Sequence, residues 1–253
     1  MFKDKHQLCS VGLTDIGKAR SRNEDAIFVS DGLGLYLVAD GMGGHADGDV
    51  ASALAVEIIS KHFADSPGGE AASSLSRAVR EANRCVFDTS QKKTSPTTSF
   101  TFSGAVPEAL MGTTLVALAV DGEEAVIAHV GDSRAYRFRN NHLQRLTRDH
   151  SLAESGPENG NPAVTLGPRF KNVITRALGI EADVEVEICR EFLKRGDLFL
   201  LCSDGLTNMV SDSRIEAILA QSHTRESACK SLIDSANDSG GKDNISSVLV
   251  QYA

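Results

Sequence analysis

The sequence predicts an α+β protein in which antiparallel β-sheets stack on one another and α-helices cover the outside. Three features of the 253-residue chain support this prediction. Short apolar runs typical of strands fall into two groups along the chain. Asp-Gly or Gly-Asp turns separate several neighbouring runs, as in hairpins. A pair of amphipathic helices follows each group, which differs from the regular strand and helix alternation of a parallel βαβ array.

The N-terminal part of the chain predicts a hairpin followed by two helices. Strands are expected at residues 7–13, 26–29 and 33–39, and helices at 49–63 and 71–88. The turn Ser30-Asp31-Gly32 joins the second and third strands. An antiparallel hairpin therefore carries Glu24-Asp25 and Asp40 to the same end of the sheet. Residues 91–110 are rich in Thr, Ser and Pro and predict a loop.

The C-terminal part predicts a meander, two further strands, two helices and a closing strand. Strands are expected at residues 113–120, 124–130, 134–139, 142–146, 184–189, 197–202 and 245–250, and helices at 212–222 and 225–237. Residues 148–171 contain three prolines and no consistent period, so they predict a long surface loop of the kind that often carries function.

Composition limits the classes of function. The formal net charge of −8 disfavours nucleic acid or an anionic membrane as the main partner, because both need clustered Lys and Arg. Five scattered cysteines without a Cys-x-x-Cys spacing fit a reducing cytoplasm. Neither a signal peptide nor a membrane span is recognisable. We expect one domain over residues 1–253, with its core at about 7–251.

Five acidic residues follow or precede predicted strands at tight turns. They are Asp25, Asp40, Asp132, Asp204 and Asp243. Stacked sheets can gather such positions at one edge, and carboxylate oxygens suit hard divalent ions. Asp40 comes directly before Gly41, and glycine lets a main-chain carbonyl approach an ion closely. Since Asp and Gly are also ordinary turn residues, composition alone leaves both interpretations open.

Six motifs in fixed order resemble the metal-dependent Ser/Thr protein phosphatases, the PPM or protein phosphatase 2C family, in their compact bacterial form. They are Arg20-Ser21-Arg22-Asn23-Glu24-Asp25, Asp40-Gly41-Met42-Gly43-Gly44-His45, Met111-Gly112-Thr113-Thr114, Gly131-Asp132-Ser133-Arg134, Ser203-Asp204-Gly205-Leu206 and Gly241-Lys242-Asp243-Asn244. Each motif alone is weak, but the set in this order is specific. The resemblance covers the chain from about residue 10 to its end.

The resemblance implies a four-layer sandwich of two antiparallel β-sheets flanked by α-helix pairs, with metals in a cleft at one edge. It implies two Mn²⁺ or Mg²⁺ ions and a third, weaker one. Asp40 would bridge the first two ions. The implied metal ligands are Asp40, the Gly41 carbonyl, Asp132, Asp204 and Asp243, with Asp132 at the third ion. The four aspartates are also the implied catalytic residues.

The resemblance also assigns the residues around the metals. Arg20 matches the arginine that holds the substrate phosphate, and its planar fork suits phosphate oxygens. Glu24 and Asp25 would hold metal-bound water, and Asn244 would support Asp243. The implied reaction is attack of an activated water on phosphorus, without a phosphoenzyme.

One position departs from part of the family. Some members carry a histidine after the Asp-Gly pair, proposed to protonate the leaving oxygen, whereas this chain has Met42. His45 is one candidate replacement, although it is more typical of a helix-start residue. Water held partly by Asp132 at the third ion is another. His150 resembles a family position for which a structural role is expected.

The expected activity is hydrolysis of phosphoserine and phosphothreonine in proteins, in opposition to a bacterial Ser/Thr kinase. The expected partners are phosphorylated proteins and that kinase, with the chain as a monomer. Two alternatives remain: a non-catalytic module that binds phosphoproteins, and a phosphatase for one small phosphoserine protein in a partner-switching pathway. Retention of the acidic motifs and of Arg20 disfavours the first, and the lack of fused sensor domains gives the second no support.

Overall fold

The computed structural model of the protein describes residues 8–43, 47–65, 69–93, 111–154 and 173–253. Most of the two predicted loops at 91–110 and 148–171 lies outside these residues, as does His45. The described residues form two antiparallel sheets and five helices.

Eleven strands build the two sheets of the described chain. In chain order they are β1 (Leu8–Asp15), β2 (Asp25–Ser30), β3 (Leu35–Met42), β4 (Gly112–Thr113), β5 (Leu115–Asp121), β6 (Glu124–Val130), β7 (Arg134–Arg139), β8 (His142–Arg145), β9 (Glu187–Phe192), β10 (Leu198–Cys202) and β11 (Ile245–Tyr252). One sheet has the order β1-β11-β10-β7-β8, and the other β2-β3-β5-β6-β9, with β4 paired to β3. All described pairings are antiparallel, as predicted.

Five helices cover the sheets. They are α1 (Gly48–Asp65), α2 (Ala71–Lys93), α3 (Asp204–Thr207), α4 (Asp212–Gln221) and α5 (Arg225–Asp238). Polar side chains fix the starts of the last two: Ser211 caps α4, and Thr224 and Ser227 form a reciprocal capping box at α5.

The layers produce three apolar cores. One lies between the pair α1 and α2 and the second sheet, another lies between the two sheets, and the third lies between α4, α5 and the first sheet. Strands β3, β5 and β6 are buried on both faces, which explains their nearly continuous apolar sequence. The expected four-layer sandwich with helix pairs outside two antiparallel sheets is confirmed.

Three local predictions need correction. The strand expected at 184–189 is β9 at Glu187–Phe192, because Val184 and Val186 pack against the helix-side core without joining the sheet. The hairpin loop comprises residues 31–34, and Gly34 rather than Gly32 takes the left-handed conformation, with φ +60°. Asp204 begins a helical turn, α3, rather than a simple turn.

The state of the cysteines and the character of the helices relate to two expectations drawn from composition. All five cysteines are free thiols. Among the described residues, no helix combines the length and the apolar character needed to cross a lipid bilayer.

Candidate metal centre and active site

The β2–β3 hairpin places Asp25 directly opposite Asp40. The next residue, Gly41, donates its N–H to the Glu24 carbonyl at 3.1 Å. A Cβ on Gly41 would lie 2.1 Å from the carbonyl oxygen of Gly48 at the start of α1, so no other residue fits without backbone movement. The sequence-predicted ligand pair Asp40-Gly41 is therefore held between β2 and α1.

A second close approach, between the backbones at Gly205 and Asn244, brings Asp204 near Asp243. A Cβ on Gly205 would lie 2.0 Å from the carbonyl oxygen of Asn244, so the start of α3 touches the start of β11. Asp204 Oδ2 accepts a hydrogen bond from Asn208 Nδ2 at 2.9 Å. The glycine after this aspartate thus permits the contact that brings two distant motifs together.

The aspartates form one like-charged, half-buried cluster. Burial and the neighbouring Asp25 and Asp204 raise the pKa of Asp40 well above its usual value. Burial raises the pKa of Asp25 to about 6 and that of Asp132 to about 7. The pKa of Asp204 is also raised, by burial and then by Asp243. The structure therefore brings together all five aspartates that the sequence singled out.

The cluster fits divalent cations. Within the described chain, Asp25 Oδ1 and Asp204 Oδ1 are buried oxygens without a hydrogen-bond donor. The second oxygen of Asp25 is occupied by Ser203 Oγ at 2.8 Å and Ser246 Oγ at 2.7 Å. Unpaired anionic oxygens in a buried site are costly unless a cation balances them. An oxygen-only donor set of this kind suits Mn²⁺ or Mg²⁺.

Arg20 lies at the cluster, as the resemblance implies. Its Nη2 donates to Asp243 Oδ2 at 2.7 Å, and half of its side chain is exposed. This hydrogen bond raises the pKa of Arg20 above its already high value. The guanidinium is the cation beside the carboxylates and remains accessible from solvent.

Asn244 ties the Arg20–Glu24 segment to β11. Its Oδ1 accepts the Glu24 N–H at 2.8 Å, and its Nδ2 donates to the carbonyls of Ile16 at 2.9 Å and Arg22 at 2.8 Å. The buried amide thus has a partner for each polar atom, which fixes the loop that carries Arg20 and Glu24. Burial raises the pKa of Glu24 itself.

Thr113 and Thr114 hold the backbone of Asp40. Thr113 Oγ1 and Thr114 N donate to the Asp40 carbonyl at 2.9 and 2.8 Å, and the Asp40 N–H donates to Thr114 Oγ1 at 3.1 Å. Thr114 Oγ1 also lies 2.7 Å from Ser133 Oγ, beside Asp132. The motif Met111-Gly112-Thr113-Thr114 was recognised in the sequence, but its role as a clamp on Asp40 depends on this long-range pairing.

An ion-pair cluster supports the turn that carries Asp132. Arg134 donates from Nη2 and Nε to the Asp149 carboxylate, with the shortest contact at 2.7 Å, and Arg145 Nη2 reaches the same carboxylate at 2.5 Å. Two guanidinium groups on one buried carboxylate fix the strand start that follows the turn. No motif in the sequence pointed to Asp149 or Arg145 in this role.

His129, His150 and Glu187 form a second cluster beside this turn. The two rings stack with centroids 4.5 Å apart. His150 Nδ1 accepts the Gly131 N–H at 3.1 Å, so its proton is on Nε2, 3.2 Å from Glu187 Oε2. His129 Nε2 donates to the Arg148 carbonyl at 2.8 Å. Both nitrogens of His150 and one nitrogen of His129 therefore already have hydrogen-bond partners. Because a metal ligand needs a free nitrogen lone pair, this cluster fits a hydrogen-bonded support better than a metal site.

Comparisons with known proteins agree with this geometry. The sequence profile described as "Protein phosphatase 2C" matches residues 17–240. The "Serine/threonine phosphatase stp" of Listeria monocytogenes serotype 4b (strain F2365) is 38% identical over 247 residues, covering 94% of this chain and 93% of the relative.

Solved structures extend the similarity to the fold. The serine/threonine phosphatase PstP of Mycobacterium tuberculosis superposes with a TM-score of 0.82 at 32% identity, over 97% of this chain and 99% of that one. A structure of the PstP catalytic domain in complex with two manganese ions gives a TM-score of 0.81 at 32% identity, over 97% and 98% of the two chains. With the five motif aspartates gathered in one cluster and the family profile and these relatives matched over most of the chain, this chain belongs to the protein phosphatase 2C family.

Proposed function

We infer that this chain is a metal-dependent protein phosphatase that hydrolyses phosphoserine and phosphothreonine in proteins. The observation that carries the inference is the convergence of five aspartates at one cleft, with two buried carboxylate oxygens that lack a donor within the described residues. A like-charged cluster of this kind destabilises the folded chain unless cations occupy it. Such a cost is typical of a functional site.

The proposed ligands are the side chains of Asp40, Asp132, Asp204 and Asp243 and the carbonyl of Gly41. When bound, two divalent ions supply neutralisation of the phosphate charge and a lowered pKa of water, which is the chemistry that phosphate monoester hydrolysis requires. Mn²⁺ and Mg²⁺ are the proposed cofactors, with Asp132 at a third and weaker ion.

Other residues of the chain hold the proposed metal ligands in position. Thr113 and Thr114 fix the main chain of Asp40, and the close approach at Gly205 fixes Asp204 beside Asp243. These contacts hold the carboxylates in place before substrate arrives, so little reorganisation is needed during the reaction.

Arg20 is the proposed phosphate-binding residue. Its guanidinium donates one hydrogen bond to Asp243 and is half exposed, so its other N–H groups can donate a pair of hydrogen bonds to an arriving phosphoryl group. Glu24, Asp25 and Asn244 are the proposed supporting residues. Asp25 is held by two serine hydroxyls, and Asn244 fixes the Glu24 main chain.

The departing serine or threonine oxygen needs a proton. Gly41 is followed by Met42, which has no proton to give, and His45 lies outside the described residues. We propose that Asp132 assists protonation by helping to hold a water at the third ion, because this side chain borders the same cluster and lies near Asp40 and Asp204.

Several finer assignments belong to the same proposal. We propose a single phosphatase domain over residues 1–253, a monomeric state, and a Ser/Thr protein kinase whose phosphorylated targets are the substrates. We propose the cytoplasm as its location, where five free thiols stay reduced.

The test is release of inorganic phosphate from a phosphothreonine peptide by metal-stripped protein with and without added Mn²⁺. Turnover that depends on Mn²⁺ supports the proposal. Stoichiometric peptide binding without turnover at any metal concentration would instead identify a phosphoprotein-binding module.

A further inference from the structure

Helix α2 carries three arginines on its solvent face, away from the metal cluster. Arg77, Arg80 and Arg84 are three and four residues apart, so their side chains are neighbours on one helix face. All three are exposed. In the part of the chain that the structure describes, none of them forms an ion pair or a side-chain hydrogen bond. Unpaired cations in a row contrast with the net charge of −8 of the whole chain.

Two grooves meet along this row of arginines. One, of 680 Å³, lies between Arg77, Arg80 and Arg84 and the segment 182–185. The other, of 620 Å³, is lined by Arg77, Arg80, Ser76, Ile188 and Arg190. Because they share Arg77 and Arg80, the two grooves adjoin along α2, and together they are called here the α2 trough.

Most other charges at the trough are already engaged. Glu185 pairs with Arg176 at 2.8 Å, and Glu81 lies 3.2 Å from His62. Arg190 pairs with Glu124 at 3.4 Å and also with Glu70. Among the described acidic residues that line the grooves, Asp183 has no ion-pair partner, and Glu81 has an ion pair only when His62 is protonated. These two carboxylates compare with three arginines that have no partner in the described chain. The balance of unpaired charge in the trough is therefore positive.

The wall opposite α2 is fixed in place. Asn83 Nδ2 donates to the carbonyls of Glu181 and Ala182, both at 3.1 Å, and Asn83 Oδ1 accepts the Gly179 N–H at 2.8 Å. One residue earlier, Leu178 N donates to the carbonyl of Thr113 at 2.8 Å, the residue whose hydroxyl holds Asp40. The trough is thus a preformed feature, and its wall continues into the strand that clamps the metal site.

We propose that the α2 trough binds a second phosphoryl group, so that multiply phosphorylated proteins are favoured substrates; this rests on the proposed function. Two guanidinium forks one helical turn apart can both donate to one tetrahedral dianion. Ser76 adds a hydroxyl donor, and Ile188 offers an apolar contact for a neighbouring ligand side chain. A shared wall between the trough and the metal-site strand suits a substrate that contacts both.

The direct test is binding of a fluorescein-labelled phosphothreonine peptide in EDTA, followed by fluorescence anisotropy. The Arg77→Glu/Arg80→Glu variant should bind about tenfold more weakly or worse, since two charged hydrogen-bond donors are reversed in sign. The control is Arg195→Glu/Arg214→Glu, which makes the same change of charge at two exposed arginines outside the trough. Equal affinity of the trough variant and the wild type would overturn the proposal.

A comparison of two peptides and a comparison of two substrates test whether the trough recognises phosphate and whether it contributes to substrate docking. A peptide with Glu in place of phosphothreonine should bind much more weakly, and equal binding would mean that the trough takes acidic rather than phosphorylated segments. With Mn²⁺, the trough variant should keep its kcat/KM on p-nitrophenyl phosphate and lose about fivefold or more on multiply phosphorylated casein. Equal losses on both substrates would contradict a docking role. Absence of wild-type turnover would refute the proposed function, while the binding measurement in EDTA would still decide the trough.

Discussion

The Arg20 guanidinium lies 2.7 Å from the Asp243 carboxylate, although the two residues are 223 positions apart in sequence. The contact joins the first motif of the chain to the last. It places the proposed phosphate-binding side chain against a proposed metal ligand, so that guanidinium donors lie beside the carboxylates that would hold the metal. Asn244, the residue after Asp243, holds the same loop through the Glu24 and Arg22 main chains.

Removal of this guanidinium should weaken phosphate binding. We expect Arg20→Ala to raise KM for a phosphothreonine peptide, with a total loss of roughly 2–4 kcal/mol in kcat/KM, because a charged hydrogen bond to the phosphate is lost. Steady-state kinetics with Mn²⁺ measure it. Arg22→Ala is the control, since Arg22 contributes a main-chain carbonyl to Asn244 that alanine keeps. A damaging Arg22→Ala with a harmless Arg20→Ala would refute the assignment.

Asp40 should stabilise the protein only when metal is bound. In EDTA its carboxyl lies among like charges, so Asp40→Asn should raise the melting temperature, by about 2–4 °C for each kcal/mol relieved. Differential scanning calorimetry measures it. Saturating Mn²⁺ should raise the wild-type midpoint much more than that of the variant. A variant that is less stable than the wild type in EDTA would show that Asp40 has a structural role instead.

Asp132 should matter most for poor leaving groups. A serine alkoxide needs protonation, whereas nitrophenolate leaves without it. Asp132→Ala should therefore reduce kcat far more on a phosphoserine peptide than on p-nitrophenyl phosphate, while Asp40→Ala should abolish both. Equal losses for Asp132→Ala would assign the residue to metal positioning or folding, and His45→Gln would be the next variant to measure.

His129 should make stability depend on pH below about 6.5. Burial lowers its pKa in the folded protein, and the hydrogen bond to the Arg148 carbonyl and the carboxylates of Glu187 and Asp149 oppose this in part. As pH falls below the unfolded pKa of about 6.5, only the unfolded chain takes up this proton, so the free energy of unfolding falls by up to ~1.4 kcal/mol per pH unit until the folded pKa is reached. Above the unfolded pKa of about 6.5, neither state binds this proton, so His129 adds no pH dependence to the stability.

The matched variant for this prediction is His129→Gln, which keeps a nitrogen donor for the Arg148 carbonyl but does not titrate. Urea unfolding at pH 7.5 and pH 5.5 should give a smaller difference for the variant than for the wild type. The same pH-dependent difference in both proteins would exclude His129 as its source.

The sequence predicted those parts of the molecule that local chemistry determines. The β2–β3 hairpin followed from two apolar runs around an Asp-Gly pair, and it correctly placed Asp25 opposite Asp40. Motif order predicted the family. The contacts of Thr113 and Thr114 with Asp40 could not be predicted from spacing, because they join residues 73 and 74 positions apart in the chain.

Other features depend on packing that periodicity does not report. Val184 and Val186 have the alternation of a strand, yet they are buried by side-chain contacts without pairing to β6, so β9 begins later than predicted. The α2 trough arises where an exposed helix face meets the segment held by Asn83. Neither partner of that contact is visible as a motif.

The most direct test of the carboxylate centre is the rate of phosphate release from a phosphothreonine peptide at saturating Mn²⁺ by Asp204→Asn. We expect a loss of several orders of magnitude, because this side chain has a buried oxygen at the cluster with no hydrogen-bond partner in the described residues. Asp238→Asn, a change at an exposed aspartate outside the cleft, is the control and should retain full activity. Wild-type rates for Asp204→Asn, or undiminished activity of the wild type in EDTA, would contradict a metal-dependent carboxylate centre.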